Sequence, residues 1–128
     1  MMKITPATLD DAAQILDLQK LAYQSEARLY DDFTIPPLTQ TLEEIENDFA
    51  GKVFLKAQHA DKIIGAVRAF LTEGTCHIER LIVHPDFQGQ GIGTALVAKI
   101  ETHCKQAQRY ELFTGDKSIR NIISISGW

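Results

Sequence analysis

The spacing of apolar positions along the chain switches between a helical and a strand period, and each switch marks an element boundary. Lys3-Ile4-Thr5-Pro6 is a short strand candidate stopped by proline. Thr8 followed by Asp11 supplies an N-cap with an acidic first turn. Ala12, Ile15, Leu16, Ala22 and Tyr23 then recur on one side, as an amphipathic helix requires. The stretch Glu26 to Pro37 loses that period, and its Pro36-Pro37 pair cannot continue a helix. It reads as a loop or short helical turn overhanging a cleft. Thr41-Leu42-Glu43-Glu44 is a capping box, and Leu42, Ile45 and Phe49 give a second short helix ended by Gly51.

After Gly51 the pattern becomes that of strands. Val53 to Ala57 and Ile63 to Leu71 are β-branched and aromatic runs joined by the tight polar connection Ala60-Asp61-Lys62, so they read as a hairpin. Thr72-Glu73-Gly74-Thr75 makes a second turn into Cys76 to Val83, which His84-Pro85 closes. From Ile92 the helical period returns, with Ile92, Leu96, Ile100 and His103 on one face and Ala95 beside them. Glu111-Leu112-Phe113-Thr114 is a fifth strand. Beyond the turn Gly115-Asp116-Lys117-Ser118, the segment from Ile119 begins like another helix. The order predicts an α+β (mixed α/β) fold, with one domain over 1–128 and no repeat or interdomain linker.

Composition narrows the function. A chain of 128 residues with 45% apolar and 23% charged positions can close a core without metal or disulfide staples. The net charge of −4 argues against a nucleic-acid binder, which would carry a basic stripe. No apolar run approaches the roughly 20 residues of a membrane span, and Met1 to Pro6 has no signal-peptide core, so the expected compartment is the cytoplasm. Cys76 and Cys104 lack metal spacing and lie on apolar stretches, the pattern of packed, reduced thiols; no metal site is expected.

The strongest chemical signal is a strand, a Pro-containing turn, a glycine loop and a helix within Leu81 to Ile100. Gly89, Gly91 and Gly93 fall where a helix's unpaired N–H groups begin. Bare amides and the positive dipole end together make an anion site. Two nucleotide fingerprints fail on residues. The third glycine of a G-x-G-x-x-G loop would be position 94, which is Thr94, and a Walker A lysine is missing after Gly93.

Gln88-Gly89-Gln90-Gly91-Ile92-Gly93 fits the pyrophosphate loop [RQ]-x-x-G-x-[GA], and through it the chain resembles the GCN5-related N-acetyltransferases, the GNAT family. Leu81-Ile82-Val83-His84-Pro85-Asp86-Phe87, the hairpin with Ile64-Gly65, Glu111 to Thr114, and Asn121 extend the likeness to about Ile122. The resemblance implies a mostly antiparallel central sheet flanked by helices, with the cofactor between splayed fourth and fifth strands. It implies acetyl-CoA as cosubstrate and an amine of a small molecule or peptide as acceptor. Leu81, Ile82 and Val83 would offer backbone to the pantetheine arm. Gly89, Gln90, Gly91, Ile92, Gly93 and Thr94 would cradle the pyrophosphate beside Gln88, and Asn121 would contact CoA. A bulge in the fourth strand would assist the splay.

Acetyl transfer requires the amine to lose a proton. A lysine-like amine with a pKa of about 10.4 is on the order of a few parts in ten thousand neutral at pH 7. Glu79 is the candidate base, with His77, on the same strand face by alternation, as backup. A backbone N–H at Ile82 or Val83 would polarise the carbonyl. Tyr23 and Tyr30 are candidate acceptor-pocket residues whose more ordinary role is helix packing. The family's next helix carries an acid tyrosine at position 125, where this chain has Ile125. Read from the third base of the Ile123 codon, degenerate codons for Ile123 to Trp128 permit Phe-Tyr-Lys-Arg-Leu and then a codon starting with G, in the register of the family's Phe-Tyr-Lys-Arg-Leu-Gly. That register implies a recoded, truncated C-terminus lacking the last strands, a sheet edge a homodimer would cover, and, as the competing function, a CoA-binding module with impaired catalysis.

Overall fold

The computed structural model describes residues 2–113 and 119–122; for residues 25, 26, 29, 30, 113 and 119–122 it describes the backbone alone. Six strands form one sheet in sequence order: β1 (Met2–Pro6), β2 (Val53–His59), β3 (Lys62–Thr72), β4 (Thr75–Val83), β5 (Arg109–Phe113) and β6 (Ile119–Ile122). Every neighbouring pair is antiparallel except β4 and β5, which run parallel. That exception follows from the crossover between them. A parallel partner requires a long connection, and α4 (Ile92–His103) supplies it.

Helices cover both faces. On one, α4 lays Ile92, Leu96, Val97 and Ile100 against Leu55, Ile64, Val67, Cys76 and Ile78. On the other, α1 (Ala12–Tyr30) and α3 (Leu42–Asp48) place Ala12, Ile15, Leu16, Leu18 and Ile45 against Phe54, Ile63, Ala66 and Ile82. The N-terminal signals read from the sequence operate as written. Asp11 Oδ2 accepts from the Thr8 amide at 2.9 Å ahead of α1, and Thr41 and Glu44 form the capping box of α3, with Thr41 Oγ1 accepting from the Glu44 amide at 3.2 Å. Between α1 and α3 the proline pair starts the short helix α2 (Pro36–Thr39), the helical turn expected there.

The structure corrects three expectations. Helix α1 does not stop near Tyr23 but continues to Tyr30, where Asp31 caps it in the left-handed conformation at φ 51°. No proline or glycine interrupts Gln24 to Tyr30, and fully buried Ala27 anchors the added turns. His103 faces solvent rather than the core, and Val97 takes the fourth buried place on α4. The segment from Ile119 is a strand, paired from Phe113↔Ile119 to Tyr110↔Ile122, not the start of a helix. The β5 edge there offers a ladder that a short, Ile-flanked segment can join. Residues 114–118 and 123–128 lie outside the described residues, and with them Ile125 and the expected recoding of the C-terminus.

Candidate active site

Strands β4 and β5 pair from Thr75↔Arg109 to Ile78↔Leu112. Beyond Ile78, residues 79–83 of β4 have no strand on that side among the described residues. Where that pairing ends, β4 is irregular. In the β3–β4 ladder Ala66 faces Ile82 while Arg68 faces Glu79, so β4 carries one residue more than β3 across that interval. This is a β-bulge. Arg80 sits in it at φ 51°, a conformation rare for a residue with a side chain. Side-chain direction changes hand across it. Cys76 and Ile78 pack toward α4, yet Ile82, which unbroken alternation would put with them, packs toward α1. Leu81 and Val83 take over the α4 side.

The same alternation decides which amide faces the gap. The His84 amide donates to the Ile64 carbonyl at 2.7 Å, so the ladder bonds recur at Ile82 and skip Val83. The Val83 N–H therefore points away from β3, toward the side that β5 has left. The Val83 carbonyl points there too, and Gln88 folds back to donate its Nε2 to it at 3.4 Å. Of the two positions considered from sequence, Val83 has the free direction and Ile82 does not.

The glycine loop brings the start of α4 to the mouth of this gap. Gly89 and Gly91 both adopt φ 80°, and a Cβ built on either would meet nothing within 4 Å. Gly91 is the N-cap, and no side chain caps the helix. First-turn amides are thus presented to open space with the positive end of a three-turn helix behind them. Gly93 stands over the strand end, where an added Cβ would lie 3.8 Å from Leu81 Cδ2 and from Val83 Cγ2. Gln90 and Thr94 are exposed on the loop and the first turn.

At the throat of the gap, on the face opposite α4, Glu79 is ion-paired through Oε1 to Lys52. Lys52 also lies 3.7 Å from Asp48 and 5.2 Å above the Phe70 ring. His77 shares that face, as alternation required, but its ring is engaged. Nε2 meets Thr72 Oγ1 at 2.8 Å, Nδ1 lies 3.3 Å from Glu111, and the ring stacks on Phe70. The Asn121 backbone pairs with Glu111 in β6, and its side chain, like that of Tyr30, lies outside the described residues. Tyr23 packs against the α1-side core.

The polar network beneath Glu79 was only partly legible. Arg68, 2% exposed in the middle of β3, donates to Asp48 Oδ2 at 3.0 Å, to Gln40 Oε1 at 3.3 Å and to Gln19 Oε1 at 2.5 Å. Gln19 in turn donates to the Pro37 carbonyl at 2.9 Å. One guanidinium so ties α1, the α2 turn and α3 to the strand beside the bulge. Burial, and then the nearby charge of Arg80, pull the Arg68 pKa down to about 10, with Asp48 and Glu79 opposing. A charged residue inside the apolar run Ile63 to Leu71 was the available signal; Gln19, Gln40 and Lys52 gave none.

Two clefts open elsewhere. One of about 410 Å³ lies between α1 and the β2–β3 turn and reaches His84; one of about 310 Å³ lies between Lys52, Phe70 and Cys104. Neither of these two is the gap, which is marked by strand backbone without a partner among the described residues. Cys76 and Cys104 are both buried, and their thiols hydrogen-bond each other. That bond lowers the Cys104 pKa against the effect of burial, while the same bond and burial push that of Cys76 up. Among the described residues no cluster of three potential metal ligands occurs, and no helix is long and apolar enough to cross a membrane.

Residues 13–122 match the sequence model of the acetyltransferase (GNAT) family, a span that holds the bulged strand, the glycine loop and the diverging strands. The chain belongs to that family. UPF0157 protein YqkA of Bacillus subtilis (strain 168) is 29% identical over 107 residues, which make up 84% of this chain and 31% of that protein. The chain therefore spans about a third of that relative's length. The structure of PaiA N-acetyltransferase from Thermoplasma acidophilum, in complex with coenzyme A, is similar at a TM-score of 0.76 and 14% identity, over 91% of this chain and 81% of that one. A GNAT family acetyltransferase from Brucella melitensis, in complex with acetyl-CoA, gives 0.69 at 18% identity, over 91% and 78%. At such identities the likeness establishes the GNAT fold, which is the fold expected from the sequence.

Proposed function

We propose that this acetyltransferase-family chain, as a single domain over 1–128, transfers the acetyl group of acetyl-CoA to a primary amine of a small molecule or peptide. One observation carries the reading. A helix N-terminus with no side-chain cap, two open left-handed glycines and a strand edge with no partner among the described residues converge on one gap. These features fit an extended ligand with a diphosphate at one end. Amides of residues 89–94 would hold the pyrophosphate, with Gln88 alongside, and the backbone of 81–83 would hold the pantetheine arm as a strand holds its neighbour. Asn121, on β6, would contact the ligand from the far side.

When bound, acetyl-CoA supplies an activated acyl carbonyl. The rest is work for this chain's own groups. The Val83 N–H, aimed into the gap, donates to the carbonyl oxygen and stabilises charge that develops there. Glu79 takes the ammonium proton of the acceptor at its carboxylate, while Lys52 fixes that carboxylate by holding Oε1. His77 has both ring nitrogens engaged, which ranks it below Glu79. Parallel proposals are a cytoplasmic location, no nucleic-acid or membrane partner, and a second copy adding at the β6 edge. Among the described residues, that strand pairs only with β5.

Calorimetry with acetyl-CoA and thiol release with a panel of amines test the reading. We expect binding, turnover of at least one amine, and a loss of roughly 10²–10⁴ in kcat for Glu79→Gln with acetyl-CoA affinity retained. Binding without thiol release from any amine would select the second reading, a CoA-binding module, which Ile125 at the family's tyrosine position favours. Failure to bind acetyl-CoA at all would end both.

A further inference from the structure

Among the described residues, the bulge at the gap leaves one cation without a counterion. Lys52, Arg68 and Arg80 gather around two carboxylates. Asp48 takes Arg68 at 3.0 Å and lies 3.7 Å from Lys52, and Glu79 takes Lys52. Among the described residues no carboxylate pairs with Arg80, and its Nε is buried without a hydrogen-bond partner. Its guanidinium lies close enough to Arg68 to disfavour the Arg68 charge, and Arg68 sits directly across the ladder from Glu79. The surplus charge is therefore on the Glu79 side of the sheet. A half-buried, unpaired guanidinium is costly unless an anion meets it, and its planar fork matches a carboxylate or phosphate with two parallel hydrogen bonds. The backbone of Arg80 is also held at φ 51°, a kind of strain that concentrates where ligands bind.

We propose that Arg80 receives an anionic group of the acceptor, so that the substrate class is a small amine that also bears a carboxylate or a phosphate. The proposal rests on the acetyltransferase reading above and specifies its acceptor. Glu79 and Arg80 are consecutive residues, so a compact molecule can place its amine at the first and its anion at the second.

The test uses amines matched in carbon skeleton: β-alanine against propylamine for the carboxylate, and 2-aminoethyl phosphate against ethylamine for the phosphate. Initial rates of thiol release are measured for each. Calorimetric affinity of each amine for the CoA-loaded protein is measured too, so that a chain without turnover still gives an answer. The expected result is a preference for one anionic member by roughly ten- to a hundredfold, the worth of a charge-assisted hydrogen bond. Arg80→Gln should bring that ratio close to one, and Arg80→Lys should restore part of it; thermal melting shows whether each variant is folded. Equal handling of anionic and neutral amines, a ratio unchanged in a folded Arg80→Gln protein, or no binding of either amine overturns the proposal while leaving acetyl-CoA binding standing. Absence of acetyl-CoA binding removes the acetyltransferase reading, and this inference with it.

Discussion

Replacement of Gly65 and of Gly91 by alanine should have different consequences, because each is glycine for a different reason. At Gly91 a Cβ has room, since nothing lies within 4 Å, but φ is 80°. Gly91→Ala is therefore expected to cost about 1–2 kcal/mol from the left-handed backbone alone, and to weaken acetyl-CoA, because relief of that strain turns the amides away. At Gly65 the backbone is ordinary and the space is not. A Cβ would lie 3.1 Å from Ile92 Cγ2, 3.2 Å from Leu96 Cδ1 and 3.3 Å from the Ile82 carbonyl. Gly65→Ala should cost roughly 1–3 kcal/mol by pushing α4 off the sheet. Urea unfolding of the two variants, with calorimetry for Gly91→Ala, checks both. The loop glycines could be named from sequence because their spacing before a helix is a local signal. The role of Gly65 was hidden, because the atoms that crowd it come from residues far along the chain.

Capped and patterned elements were the easiest to read. Thr8 with Asp11 and Thr41 with Glu44 stand where the residues placed them, since a cap depends only on its own first turn. Where an element's fate depends on its neighbours, the reading slipped. Helix α1 runs on because Ala27 finds the core, and residues 119–122 become a strand because β5 offers an edge. Arg68 acts at this scale as well, since it fastens two helices and a turn to β3. Arg68→Ala would leave the buried Gln19 Oε1 without its donor and take one partner each from the half-buried Asp48 and Gln40. We expect it to destabilise the fold by about 1–3 kcal/mol, the usual cost of leaving a buried polar group unsatisfied. Denaturant midpoints would show the loss, and Thr41→Ala, with an expected cost of about 1 kcal/mol, gives the scale of an ordinary cap for comparison.

Across the whole molecule, acid should act through Asp11, which joins the start of α1 to β2 by a 2.9 Å bond with Lys56. Burial by itself would raise this carboxyl. The hydrogen bonds from Thr8 and Lys56, with the Lys56 charge, outweigh burial and hold the group below its ordinary range. The unfolded chain then takes up the proton at a higher pH than the folded one, so stability rises with pH across that interval. The contribution is fully present above the ordinary carboxylate range and is lost as pH falls through the lower, folded value. Unfolding free energies measured from pH 7 downward should therefore fall less steeply in acid for Asp11→Asn than for the parent. What the sequence determined unaided was local: helix starts, the two hairpins, the uncapped glycine loop, and a motif set specific enough to imply the family. Only the tertiary structure decided that β4 bulges at Arg80, that Val83 rather than Ile82 turns its amide to the gap, that Lys52 holds Glu79, and that Arg80 has no carboxylate partner among the described residues. Each of these depends on register or charge balance between segments distant in the chain, and nothing within a single segment encodes it.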